Sequence, residues 1–187
     1  MRIHWPLLLA VTVTAAAGAD GGYEDLSSWR QFGAPVWRFA DQGAAAGPDQ
    51  QAGFLVSRVA YDDFRLSVEF WIEDDTNSGV FIRCTDPLEL ADLNPDNCYE
   101  VNIFDNHPNQ DFRTGSIVKL APPAVHVDTL GRWNRFDIVV QGASIEVTLN
   151  GFKVMSIVDD RAASGYIALQ YAGKAGLKFR NVKLAGF

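Results

Sequence analysis

Cysteine and histidine are both scarce in this 187-residue sequence, which holds only Cys84, Cys98, His4, His107 and His126. None of the histidines stands at metal-ligand spacing from the cysteines, so a zinc site of the Cys/His kind has no clear candidate. A Gly-rich phosphate loop, a nucleophile elbow and a zinc-protease motif are missing as well. Positive charge is in deficit: 16 Lys and Arg face 23 Asp and Glu, a net of −7, and no basic cluster breaks the pattern. Such a chain lacks the electrostatic footprint that a phosphate backbone requires. This argues against nucleic acid as a partner and leaves neutral sugars or cationic ligands open. Long apolar runs are absent beyond Trp5 to Ala17, which is too short to span a bilayer, so no stable membrane insertion is expected.

That one run is informative. Arg2 precedes it and Ala17-Gly18-Ala19 follows, a small-x-small cleavage pattern, so residues 1–19 read as a secretory signal peptide. No cysteine near the cleavage point is available to take a lipid. The expected product is a single domain over residues 20–187, periplasmic or extracellular, with 15 basic against 23 acidic residues and a net charge of −8. In an exported chain Cys84 and Cys98 are expected to form a disulfide. It would close a loop of about 15 residues and contribute roughly 3 kcal/mol on a chain-entropy estimate. Two buried thiols, or a two-cysteine metal site, are the alternatives.

What the sequence has in quantity is alternation. Phe64, Leu66, Val68, Phe70 and Ile72 alternate with Arg65, Ser67, Glu69, Trp71 and Glu73, the period of a half-buried strand. Shorter runs of the same kind cover 53–59, 80–83, 98–105, 115–120, 133–141, 144–149, 152–157, 165–171 and 177–184. Asn150-Gly151 lies between two of them and predicts a hairpin, because both central residues of a type I′ turn need positive φ. In the last run the apolar parity changes between Phe179 and Val182, which predicts a bulge near Arg180-Asn181. No amphipathic helix stands out. Many short strands separated by turns predict an all-β, antiparallel sandwich or barrel.

The candidate chemistry lies on strand positions that parity turns away from the core: Glu69, Trp71, Phe81, Arg83, Glu100, Asn102 and Gln170. On one shared sheet face they would combine planar hydrogen-bonding groups with flat rings, the mixture that grips sugars. The loop between the cysteines is expected to bring Arg83 close to Glu100. An ordinary glycosidase needs two carboxyl groups, about 5–5.5 Å apart if retaining and farther if inverting. The stretch CYEVNIFD at residues 98–105 does not supply both. Glu100 is followed on its face by Asn102 and Phe104, while Asp105 has the opposite parity. Glu69 from another strand is the remaining candidate for a second carboxyl. His107, in the polar loop after this strand, is a candidate acid or base, set against the plainer reading of a solvated loop residue.

The motifs FRLSVEFWIE (64–73), NSGVFIR (77–83), YEVNIFD (99–105), TGSI (114–117), GRWN (131–134), LNG (149–151), GYIALQ (165–170) and FRNV (179–182) occur in this order. Together they resemble the DUF1080 family, also called the 3-keto-disaccharide hydrolase domain, over nearly all of the chain after the signal peptide. The resemblance implies a concanavalin A-like jelly roll, an exported bacterial location, and action on glycosides whose C3 hydroxyl is oxidised to a ketone. It points to Arg83, Glu100, Asp105, Gln170 and Arg180 as motif positions. Asn102 stands where the family usually has glutamine.

A ketone at C3 acidifies the C2 hydrogen, so elimination needs one base and a group that stabilises an enolate rather than two carboxylates. On this reading Glu100, or His107, is the base, Arg83 is the cationic stabiliser, and Asn102 and Gln170 hold hydroxyls. A divalent metal at the carboxylates is the alternative to the arginine, and no other cofactor is expected. The competing reading is a non-catalytic carbohydrate-binding module that holds a glycan in an open groove lined by Trp71 and Phe81.

Overall fold

A computed structural model describes residues 22–40, 43–47, 51–74 and 76–187. The expected signal peptide lies outside the described residues. The strands are β1 (Arg30–Gly33), β2 (Arg38–Ala40), β3 (Gly43–Ala46), β4 (Gly53–Val56), β5 (Phe64–Ile72), β6 (Ser78–Cys84), β7 (Tyr99–Ile103), β8 (Trp133–Gln141), β9 (Ser144–Leu149), β10 (Phe152–Val158), β11 (Tyr166–Tyr171) and β12 (Leu177–Gly186). They form two antiparallel sheets, one ordered β1-β4-β11-β6-β7 and the other β10-β9-β8-β5-β12-β3-β2. The alternation in β5 has its cause here: Phe64, Leu66, Val68, Phe70 and Ile72 are buried between the sheets against residues such as Val80, Ile82, Tyr99, Val101 and Leu169. The architecture is an all-β sandwich. Among the described residues, helix is confined to the 3-10 turns Leu26–Ser28, Leu90–Asp92 and Gln110–Phe112, and no helix is long and apolar enough to cross a membrane.

Local sequence sets the corners. Asn150 and Gly151 take φ of 51° and 86° in the β9–β10 hairpin. The β12 bulge is present: pairing with β5 shifts between Arg180 and Lys183, with Asn181 at φ 51°. Residues 115–120 differ from the predicted strand. They form isolated bridges, Val101 with Ile117 and Ile117 with Ala121, around a tight turn in which Lys119 has φ 66°. This segment still extends the five-stranded sheet past β7, because the Asn102 N–H donates to the Ser116 carbonyl and the Val118 N–H to that of Glu100.

Cys84 and Cys98 are joined in a disulfide, with Cα atoms 4.2 Å apart. The bond brings the loop 85–97 onto the outer face of the five-stranded sheet. There Leu93 and the disulfide pack with Phe54, Val56, Phe81 and Ala168 in a second, smaller apolar cluster. That outer face is thus half covered, and the polar residues beside the cluster sit in a sheltered position.

Candidate functional site

Strand register gathers the site. On the outer face of the five-stranded sheet Gln170 of β11 pairs with Gly79 of β6, and Gly79 pairs with Asn102 of β7. One rung along, Phe81 pairs with Glu100. Since Ile117 pairs with inward-facing Val101, its neighbour Ser116 turns to the same outer face as Glu100 and Asn102. Gly79 makes the arrangement compact. A Cβ on it would stand 3.2 Å from Cγ and Oε1 of Glu100, so the missing side chain gives the carboxyl its place across β6.

Glu100 is only 8% exposed, and its carboxyl accepts no hydrogen bond among the described residues. Burial disfavours its charged form and pushes the carboxyl up to about 7 from an ordinary value near 4.5, against the opposing pull of Lys119. The Lys119 ammonium is in turn held by Asp96, at 2.9 Å from each carboxylate oxygen. Two further polar atoms of this face, Ser116 Oγ and Gln170 Oε1, are buried without a partner among the described residues. Buried polar groups are ordinarily paired. A neutralisable carboxyl, a hydroxyl and an amide oxygen left unsatisfied on one face make a platform suited to a ligand rich in hydroxyl groups.

The other residues on this side of the molecule have structural partners. Asn102 donates its side-chain N–H to the Phe112 carbonyl and accepts from the Ile103 N–H, which fastens the loop after β7 to the site's edge. Asp105 accepts from the Thr129 N–H at 2.6 Å and from its hydroxyl at 2.8 Å, so both oxygens fix the loop before β8 and neither faces Glu100's platform. Phe81 is 1% exposed and stacks edge-on to Phe54 at 5.3 Å. It is a wall of the apolar cluster and cannot stack on a sugar as an open surface. His107 stands between Phe104 and Phe112, and its Nδ1 accepts the Asn109 N–H at 3.0 Å. It borders the site on the loop that Asn102 fastens, and makes no contact with Glu100.

Two expectations are corrected. Arg83 does not stand beside Glu100. It has φ 51°, where β6 and β11 fall out of register, and this reverses the side on which strict alternation would place it. Its guanidinium donates to the carbonyls of Asp62, Gly142 and Ala162 and to Asp63 Oδ1, and it is 1% exposed. Glu69, Trp71 and Arg180 also stand apart from Glu100, on the outer face of the other sheet, where Arg180 binds Glu69 at 2.7 Å and lies 3.7 Å over the Trp133 ring. The physical reason is that parity distinguishes core from non-core, whereas a sandwich has two non-core faces. Glu69 therefore cannot be the second carboxyl beside Glu100. Burial works to raise the Glu69 carboxyl, but hydrogen bonds from Arg180 and Asn181 outweigh it and hold the group below its ordinary value.

Ser116, Lys119 and Gly79 belong to the site without standing out in the sequence as candidates. Gly79 does carry a signal, since a glycine inside a strand marks a close approach. Ser116 lies within the motif TGSI, but single-sequence parity cannot place a bridge segment. Nothing local marks Lys119. Among the described residues no group of three or more His, Cys, Asp and Glu comes together as a metal cage.

A two-sheet antiparallel sandwich with this platform on one outer face defines a domain of the concanavalin A-like fold. The chain belongs to the 3-keto-alpha-glucoside-1,2-lyase-like family, the 3-keto-disaccharide hydrolase domain, whose sequence pattern matches residues 18–185. A candidate glycosyl hydrolase from Parabacteroides distasonis has a similar structure, with 26% identity, TM-score 0.68, and coverage of 81% of this chain and 90% of the other. A second candidate glycosyl hydrolase from the same organism shares the fold at 18% identity and TM-score 0.74, covering 88% and 90%. The carbohydrate-binding module CBM66 from Bacillus subtilis shares it at 17% identity and TM-score 0.63, covering 83% and 95%. No curated protein matches the chain in sequence.

Proposed function

We propose that this protein cleaves 3-keto-glycosides by elimination across C1 and C2, with Glu100 as the base. The observation that carries this reading is the Glu100 carboxyl itself: buried, unpaired, pushed up to about 7, and on the same sheet face as the buried, unsatisfied polar atoms of Ser116 and Gln170. A base poised near neutrality takes and returns a proton with little penalty in either direction. Glu100 removes the C2 hydrogen, and the electron pair forms an enolate whose charge rests on the C3 oxygen. Collapse of the enolate restores the ketone and breaks the C1–O bond. The departing oxygen takes the proton from Glu100, and water then adds to C1.

With Arg83 engaged elsewhere, Lys119 is the cation that acts on Glu100 through space, and it offers the positive charge that an enolate needs. Gln170 and Ser116 hold sugar hydroxyls, and Asn102 shapes the site's edge. The disulfide fits an oxidising, exported setting.

The test is incubation with a 3-keto-α-glucoside, with and without divalent metals, comparing wild type, Glu100→Gln and Lys119→Ala. Wild type should release sugar, and Glu100→Gln should lose activity by about a hundredfold or more. Lys119→Ala should shift the rate profile to higher pH, because the charge that favours ionised Glu100 is gone. If wild type binds sugar but releases none under any metal condition, the domain is a binding module of the kind its CBM66 likeness suggests, and the catalytic reading fails.

A further inference from the structure

The seven-stranded sheet turns its own outer face to solvent, and this face is not used by the chemistry above. Cross-strand register builds it in rungs. Lys178, Trp71 and Trp133 share one rung, Arg180, Glu69 and Arg135 the next, and Lys183, Ser67 and Asp137 the third. Arg65 follows on β5. An open groove of about 810 Å³ runs over this area, within the range of about 300–1,000 Å³ typical of ligand sites.

The charge of the groove is opposite to that of the chain. The protein carries −7 overall, yet Arg65, Arg135 and Lys183 line the groove against two carboxylates, Glu69 and Asp137. Those carboxylates are already taken, Glu69 by Arg180 at 2.7 Å and Asp137 by Arg135 at 2.6 Å. Arg65 and Lys183, which line the groove, and Lys178 farther along the sheet form no ion pair among the described residues. Each instead rests on an aromatic face: Arg65 on Phe187 at 5.4 Å, Lys178 on Trp71 at 5.8 Å and Lys183 on Tyr23 at 4.6 Å. A ring beneath a cation limits its rotamers while leaving its charge uncompensated, so the groove holds positioned positive charge with little ordering left to do.

We infer that this groove is a second ligand site, for an anionic saccharide such as a uronic acid oligomer. Arg65 and Lys183 are the anchors for its carboxylates, and Ser67 and Asn181, which also line the groove, face the ring hydroxyls. The strands fix the spacing of these groups. The β12 bulge at Asn181 sets Lys183 back onto the same face as Arg180 and so completes the row of cations. The site stands on the sheet opposite Glu100, and its occupancy is independent of the reaction proposed there.

The experiment is calorimetric titration of the protein at low ionic strength with trigalacturonate, with maltotriose, sodium sulfate and phosphatidylglycerol vesicles as comparison probes. Trigalacturonate should bind, weaken as salt rises, and bind roughly tenfold more weakly to Arg65→Ala and to Lys183→Ala. Both variants change exposed side chains, and an unaltered unfolding temperature shows that they fold. Glu100→Gln should leave the affinity as it is. The inference is overturned if trigalacturonate does not bind, if maltotriose or sulfate alone binds as well, or if both variants retain wild-type affinity. Capture by the vesicles without trigalacturonate binding would make the face a membrane-surface contact and would equally overturn it.

Discussion

Glu100, the base of the proposed reaction, also ties folding to pH. Its folded-state value, about 7, lies above its ordinary value near 4.5, so the folded protein keeps the proton through a window in which the unfolded chain gives it up. Stability from this group is therefore full below about 4.5 and declines as pH rises through about 7. Each pH unit of that window corresponds to about 1.4 kcal/mol, which makes the whole decline on the order of 3 kcal/mol. Glu100→Gln should remove this decline: thermal unfolding followed between pH 4.5 and 8 should show a smaller loss for the variant than for wild type. An equal loss would mean that the carboxyl is hydrated in solution.

Arg83 makes the opposite kind of residue prediction. It satisfies three carbonyls and one carboxylate oxygen at the joint of β5, the β8–β9 turn and the loop before β11. Arg83→Ala strips these partly buried acceptors of their partner and should cost about 1–3 kcal/mol in urea unfolding. Arg83→Lys should recover only part, since one ammonium cannot reproduce the fork. A variant that kept wild-type stability while losing catalysis would restore the role of cationic stabiliser that the sequence suggests for it.

At the scale of elements, the loop 85–97 matters most to the site. The Cys84–Cys98 bond holds it over the outer face of the five-stranded sheet, where Leu93 closes the apolar cluster and Asp96 receives Lys119. Replacing both cysteines with alanine should lower stability by about 2–4 kcal/mol and raise hydrogen exchange in 85–97 more than in β5 or β8. Uniform exchange across the sandwich would show that the loop is held by packing alone.

Which elements are legible in the sequence follows from local physics. β5 and the β9–β10 hairpin can be read directly, because strict alternation and Asn150-Gly151 are local signals. The β12 bulge is readable from the parity change between Phe179 and Val182. The position of Arg83 is not, because a single residue at positive φ breaks the alternation on which such a reading depends. Nor can Glu69 and Arg180 be separated from Glu100, since which of two sheets a strand joins is decided by pairing over long sequence distances.

At the scale of the whole molecule, the sandwich offers two outer faces with opposite characters. One is sheltered by a disulfide-bound loop and carries a neutralisable carboxyl with unsatisfied polar atoms. The other is open and cationic. On the first face the Lys119 ammonium acts through space on the Glu100 carboxyl, and the proposed reaction uses that pair.

The most direct test of the central claim is the pH dependence of kcat/KM on a 3-keto-α-glucoside for wild type and Glu100→Gln. The wild-type rate should rise through about pH 7 as Glu100 ionises, and the variant should be at least about a hundredfold slower across the range. A variant that turns over the substrate as fast as wild type, with the same pH profile, would contradict the assignment of Glu100 as the base.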